Sequence, residues 1–185
     1  MNYNKLLEKV KQPTSDKMIR DWIQKYRPNL DVNIVSYPDI EKYNALDDLL
    51  GDDNACIILY SVLDANGGNS DTGHWCMINR PNSHTIEFFD TYANYLDSAM
   101  TNKRLRFSND YPYLSRLVKE DGRVKKILFN NMKLQTLDKN SNVCGRWTCF
   151  RYAVKELPLN IFLREIRNAG FKPYDLLSVI WTYDM

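Results

Sequence analysis

Four cysteines and two histidines are the side chains of this chain best suited to nucleophilic and proton-transfer chemistry near neutral pH. Cys144 stands apart from Cys56, Cys76 and Cys149 by its surroundings, Asn142-Val143-Cys144-Gly145-Arg146-Trp147. It follows a polar loop and opens a helix-like stretch. The unpaired N–H groups and the dipole of a helix start favour a thiolate, the form that attacks carbon. Gly145 has no side chain to obstruct a substrate, and Arg146 adds positive charge. Cys149 falls on another side of the same helix and reads as core, the ordinary fate of a free cysteine.

A nucleophilic thiol needs a base. His84 adjoins the turn signal Pro81-Asn82-Ser83 and reads as a solvated loop histidine. His74 follows a Gly-rich polar loop at the start of a strand, which places it at a sheet edge where a cleft can form. The base needs an acid that fixes its tautomer and stabilises the imidazolium. Asp90 sits within the apolar segment Ile86-Glu87-Phe88-Phe89-Asp90-Thr91-Tyr92, where a carboxylate is costly unless paired. A period of two puts Glu87 and Asp90 on opposite faces. Asp90 reads either as a strand-end cap or as the partner of His74. Acyl transfer also needs donors for an oxyanion: the Cys144 N–H is one, and the Gln135 amide reaches the same point if its loop folds back. Otherwise Gln135 is an ordinary surface residue.

The elements that must position these groups follow from periodicity and punctuation. Residues 3–11 form a short helix, and Ser15-Asp16 cap a second one that ends at Arg27-Pro28. Residues 32–37 are a strand, and 39–50 a short helix stopped by Gly51. Residues 55–63 (ACIILYSVL) are a continuous apolar run of strand length, buried on both faces. Residues 74–80 and 85–92 flank a short turn and form an antiparallel hairpin. Helices are expected over 94–101 and 113–120, a strand over 126–137, and helices over 144–157, 159–168 and 174–183, the last opened by Pro173. Helices, then strands, then helices is the order of an α+β fold, with a small, mostly antiparallel sheet surrounded by helices.

The bulk composition suits one domain spanning residues 1–185, with 44% hydrophobic and 26% charged residues. No apolar run approaches the ~20 residues that cross a membrane. The polar start lacks the apolar stretch of a signal peptide, so an intracellular protein with free thiols is expected rather than two disulfides. Without a Cys-x-x-Cys pair, structural zinc is not expected. Residues 1–100 carry nine Lys/Arg against fifteen Asp/Glu, and residues 101–185 sixteen against eight. The basic clusters Lys103-Arg104-Arg106, Arg123-Lys125-Lys126 and 146–155 suit nucleic acid or an acidic surface, or simply a solvated face.

Taken together, Gly73-His74-Trp75, Phe88-Phe89-Asp90-Thr91-Tyr92, Leu134-Gln135 and Asn142-Val143-Cys144-Gly145-Arg146 resemble the adenain-like and SUMO-protease-like cysteine peptidases. Within these they resemble the maturation proteases of virophages, polinton-type elements and large DNA viruses. The likeness runs from about residue 46 to the C-terminus and leaves 1–45 as an unplaced helical extension. It implies a papain-like fold with the nucleophile at a helix N-terminus. The implied roles are Cys144 as nucleophile, His74 as general base, Asp90 as its orienting acid, Gln135 as oxyanion donor and Trp75 as a wall of the substrate cleft. Adenain has Glu where this chain has Asp90, and the loop from Gln135 to Cys144 is longer than in either branch. The implied activity is cleavage of capsid or other virion precursor proteins, in the virion and host cytoplasm. The enzyme would be a monomer without a metal or other cofactor, DNA activation being permitted by the basic second half. Removal of ubiquitin-like tails and acetyl transfer are other activities found among such proteins. An inert virion or nucleic-acid-binding module is the alternative of another class.

Overall fold

The computed structural model describes residues 2–63, 69–98, 111–135 and 141–185. Its centre is a five-stranded sheet in the order β1 (Asn33–Ser36), β2 (Ala55–Leu63), β3 (Asn69–Asn82), β4 (Thr85–Asp90), β5 (Lys126–Phe129). The three middle strands run antiparallel, with the expected β3–β4 hairpin, and the outer strands β1 and β5 each pair in parallel with their neighbours.

The apolar run of β2 is buried on both faces, and so is β4. Alternation along the strands therefore feeds two cores. Ala55, Ile57, Trp75, Met77 and Phe89 face one, which is closed by α1 (Tyr3–Lys11), α2 (Asp16–Tyr26), α5 (Cys144–Ala153), α6 (Leu159–Asn168) and α7 (Tyr174–Trp181). Cys56, Ile58, Tyr60, Cys76, Ile78 and Phe88 face the other, closed by a 3-10 turn (Tyr37–Lys42), α3 (Leu46–Leu50) and α4 (Tyr113–Glu120). The architecture is α+β, a sheet surrounded by helices.

Several elements differ from the sequence reading. The single helix expected over 39–50 is a 3-10 turn and a separate short helix. The strand expected over 126–137 stops at Phe129, because the next side chain replaces a ladder partner: Asn130 Oδ1 accepts from the Asp90 N–H at 2.8 Å, and Asn130 Nδ2 donates to the Asp90 carbonyl at 2.6 Å. Helix α5 ends at Ala153 rather than 157, because Arg151 turns back to donate to the carbonyls of Val154 and Leu157. Of the helix expected over 94–101, the described part, to Ser98, is turn, and the remainder lies outside the described residues, as does the cluster Lys103-Arg104-Arg106. No helix among the described residues is long and apolar enough to cross a membrane.

Helix α5 is the element that places the chemistry. It is buried on nearly every side, as a central helix must be. Two of its polar side chains bond to the surrounding layer: Thr148 Oγ1 donates to the Trp75 carbonyl at 3.1 Å, and Trp147 Nε1 donates to the Leu134 carbonyl at 3.2 Å. Those two bonds tie the helix to the strand of His74 and to the segment of Gln135.

Candidate active site

Cys144 is the first residue of α5. The preceding residue, Val143, has no side chain able to cap the helix, whereas α1 and α2 are capped by Asn2 and Ser15. The first-turn N–H groups of α5, including that of Cys144, have no intrahelical acceptor and no side-chain cap. A helix start left this way inside a protein is suited to binding negative charge.

His74 and Asp90 come together across β3 and β4. Cys76 pairs with Asp90 in register, and His74 is two residues along on the same face, so His74 and Asp90 meet diagonally. His74 Nε2 and Asp90 Oδ1 are 2.8 Å apart, and both side chains are buried. The carboxylate also accepts from the Tyr92 N–H at 2.7 Å and from Asn94 Nδ2 at 3.0 Å, while the Tyr92 ring stacks on His74 at 4.8 Å between centroids. The Cys144 thiol lies near enough to His74 to favour its charged form.

The electrostatics follow from this packing. Burial alone would depress the His74 pKa. The Cys76 sulfur and the hydrogen-bonded Asp90 carboxylate beside it, with the nearby Cys144 thiol, hold it well above its ordinary value. Burial alone would raise Asp90; the facing His74, the Tyr92 N–H and Asn94 keep it low. The other three thiols are fully buried. Burial pushes Cys76 up to about 12 and raises Cys56 and Cys149 further. All four cysteines are free.

No family model matches the chain. Over 137 residues it is 33% identical to the uncharacterized protein V9 of Sputnik virophage, covering 72% of this chain and 74% of V9. The chain belongs to the family of that virophage protein. Among solved structures, the crystal structure of HopZ1a in complex with IP6 aligns with 82% of this chain at a TM-score of 0.41 and 12% identity. The chain spans 46% of that HopZ1a chain, and a likeness at that score supports no conclusion about activity.

Three details of the virophage-family site correct the sequence reading. His74 does not start a strand at a sheet edge: β3 is the central strand and begins at Asn69, because the β2–β3 hairpin continues past His74 through a bulge near Ser61. Gly145 is not open to an approaching substrate. A Cβ there would lie 2.5 Å from Thr14 Cβ, so the glycine admits the α1–α2 connection. Arg146 does not supply charge to Cys144. Its guanidinium is buried and donates to Thr182 at the carbonyl (2.8 Å) and Oγ1 (3.0 Å), anchoring the C-terminal segment.

The α1–α2 connection is thus part of the site. The Asn142 N–H donates to the Val10 carbonyl at 2.9 Å, Asn142 Nδ2 donates to the Lys11 carbonyl at 2.6 Å, and Trp75 Nε1 donates to the Thr14 carbonyl at 2.9 Å. Trp75 is almost fully buried and forms the back of an open pocket of about 460 Å³ shared with Ser15, Asp16, Ile34, Ser36 and Leu59. The Gly-rich polar segment read as a loop before His74 is strand from Asn69, and residues 64–68 lie outside the described residues.

Gln135 is buried in a bend rather than at a strand end. Its N–H and that of Leu134 donate to the Thr91 carbonyl at 3.3 and 2.8 Å, which brings the segment beside the Asp90 turn. His84 is exposed, with Nδ1 3.0 Å from the Arg123 carbonyl, as a loop histidine.

His74, Cys76 and Asp90 also offer metal-ligand atoms that all lie within 4.8 Å of one another. The set is of a type that zinc accepts. An ion there would have to displace the His74–Asp90 hydrogen bond in a buried environment.

The residues that sequence reasoning missed are Thr14, Tyr92, Asn94, Asn130, Ser141 and Asp175. Asn94 and Asn130 carried a usable signal, since an Asn just beyond a strand is suited to bonding local backbone and carboxylate groups.

Proposed function

We propose that the protein is a cysteine endopeptidase that cleaves capsid or other virion precursor proteins during particle maturation. The observation that carries this reading is the arrangement about His74: the imidazole bonds to a buried Asp90 at 2.8 Å, and a thiol at an uncapped helix start lies near it. The virophage family supports the virion setting. In the proposed reaction the Cys144 thiolate attacks a peptide carbonyl. The Cys144 N–H and an N–H of Gln135 receive the charge that develops on oxygen. His74 gives its proton to the leaving amine, and then takes one from the water that hydrolyses the thioester. The pocket backed by Trp75 adjoins this centre and receives part of the substrate.

The proposed enzyme acts as a monomer in the virion and host cytoplasm and needs no metal. DNA activation is a weaker part of the proposal. Two of the basic side chains counted towards it from sequence, Arg146 and Arg151, are buried and bonded internally.

The test is incubation of wild-type protein and Cys144→Ala with candidate virion precursors, with and without double-stranded DNA. Cleavage of a capsid precursor by the wild type alone is the expected result. Cleavage confined to ubiquitin-like tails would replace the substrate assignment, and equal behaviour of the two proteins would remove the peptidase reading.

A further inference from the structure

The Gln135 amide is gripped from both ends. Thr91 Oγ1 donates to Gln135 Oε1 at 2.9 Å, and Gln135 Nε2 donates to the Ser141 carbonyl at 2.9 Å. Ser141 Oγ in turn donates to Asp175 Oδ1 in the first turn of α7. All four side chains are buried. The two ends of a carboxamide have nearly the same shape and differ in whether they donate or accept. A backbone carbonyl only accepts, so Ser141 selects the Nε2 end. Oε1 is thereby turned towards Thr91, whose hydroxyl must donate. The chain has one self-consistent direction, and it leaves Nε2 with a second N–H that no other described residue accepts.

We propose that Thr91 is a positioning residue which, with Ser141 and Asp175 at the opposite end, fixes the Gln135 amide so that its free N–H meets the oxyanion formed at Cys144. The inference rests on the peptidase reading above. A reversed amide would present Oε1, an acceptor, to a developing negative charge. Thr91 immediately follows Asp90, so one turn sets both the acid that orients His74 and the donor that faces the oxyanion. Its backbone carbonyl holds the Leu134 and Gln135 N–H groups independently of its hydroxyl. Thr91→Val therefore removes the orienting hydrogen bond while leaving the backbone anchor in place.

Two small reagents separate the oxyanion from the nucleophile. With 4-nitrophenyl acetate, the Cys144 sulfur adds to the ester carbonyl and negative charge develops on oxygen. The bond to the aryl oxygen then breaks, giving an acetyl thioester and 4-nitrophenolate. With iodoacetamide, a carbon–sulfur bond forms as iodide leaves, and no oxyanion arises. Thr91→Val is expected to slow acylation about 10–100-fold, less than the ~10²–10³-fold cost of removing an oxyanion donor outright, while alkylation stays within about twofold of wild type. Thr91→Ser, which keeps the hydroxyl, is expected to acylate at the wild-type rate, and Ser141→Ala to show a smaller loss in acylation alone.

Unchanged acylation in Thr91→Val would overturn the proposal. So would equal slowing of both reactions, which would place Thr91 behind the thiol and imidazole instead. Wild-type acylation no faster than that of Cys144→Ala would remove the peptidase reading itself, and the inference with it.

Discussion

Strand β4 carries two buried carboxylates three residues apart, and the two faces of the sheet use them differently. Glu87 faces α5 and meets Arg151, which donates through Nε at 2.7 Å and Nη2 at 2.8 Å; both side chains are essentially inaccessible. Asp90 faces the other way and meets His74. Arg151 carries a fixed charge and is bonded further to the Val154 and Leu157 carbonyls, so its pair ties helix to sheet and closes the end of α5. Burial holds the Glu87 pKa above its ordinary value even with Arg151 opposing it. That is the mark of an ion pair whose desolvation is not fully offset, one better at specifying geometry than at adding stability. His74 can gain or lose a proton, and the Cys144 thiol lies near it. Equal burial with a different partner thus separates a clamp from a proton-transfer site.

The sharpest way to break this comparison is at the thiol. Cys144 is expected to react with iodoacetamide near neutral pH far faster than Cys56, Cys76 and Cys149, and His74→Ala to lower peptide hydrolysis about 10²–10⁴-fold. Equal slow labelling of all four thiols, read by mass spectrometry, would erase the distinction between the clamp and the candidate site. Asp90→Asn is expected to follow His74→Ala in direction, with loss of turnover exceeding any loss of stability.

The clamp should respond in the opposite sense. Glu87→Ala leaves Arg151 buried without its counter-charge and is expected to cost about 3–5 kcal/mol in urea unfolding. Cys144 should keep its alkylation rate in the fraction that remains folded. The double variant Glu87→Leu/Arg151→Met is expected to recover part of that loss. The recovery should be incomplete, because the carbonyls that Arg151 satisfies stay without their donor.

A smaller effect is expected at the glycine beside Cys144. Gly145→Ala would place a methyl against Thr14 and cost about 1–3 kcal/mol. Thr14→Gly should relieve most of it in the same protein, and a double-mutant cycle measures the coupling. Additive losses would mean that the α1–α2 connection does not press on the Cys144 turn.

The most subtle contrast is in pH. Asp90 has a depressed pKa, so its contribution to stability is present above its ordinary value of 3.8 and is lost as pH falls through the lower folded value. His74 has a raised pKa, so its contribution is full below its ordinary value of 6.5 and is lost as pH rises through the higher folded one. The stability difference between wild type and Asp90→Asn should therefore be largest between those two values. A difference that keeps growing into alkaline solution would contradict the upward shift of His74.

Much of the molecule could be read before its structure. The apolar run 55–63 could only be a strand buried on both sides, and the short turn at Ser83 made β3 and β4 a hairpin. Asp90 stood out because a carboxylate among Phe88, Phe89 and Tyr92 needs a partner. Cys144 stood out because a polar loop meets a helix pattern there. These are local properties, since periodicity, turn chemistry and the cost of burying a charge all act within a few residues.

The reactive groups, their order along the chain and most of the elements that carry them are legible in the residues alone. What each group touches is set by the packing of the layers. Arg146 lies two residues from Cys144 yet serves Thr182, because successive helix residues point in different directions. Thr14, 131 positions from Gly145, fills the space the glycine leaves. Gln135 became a held amide only once Thr91, Ser141 and Asp175 were gathered around it from three separate segments. Such contacts depend on how layers pack rather than on local preference.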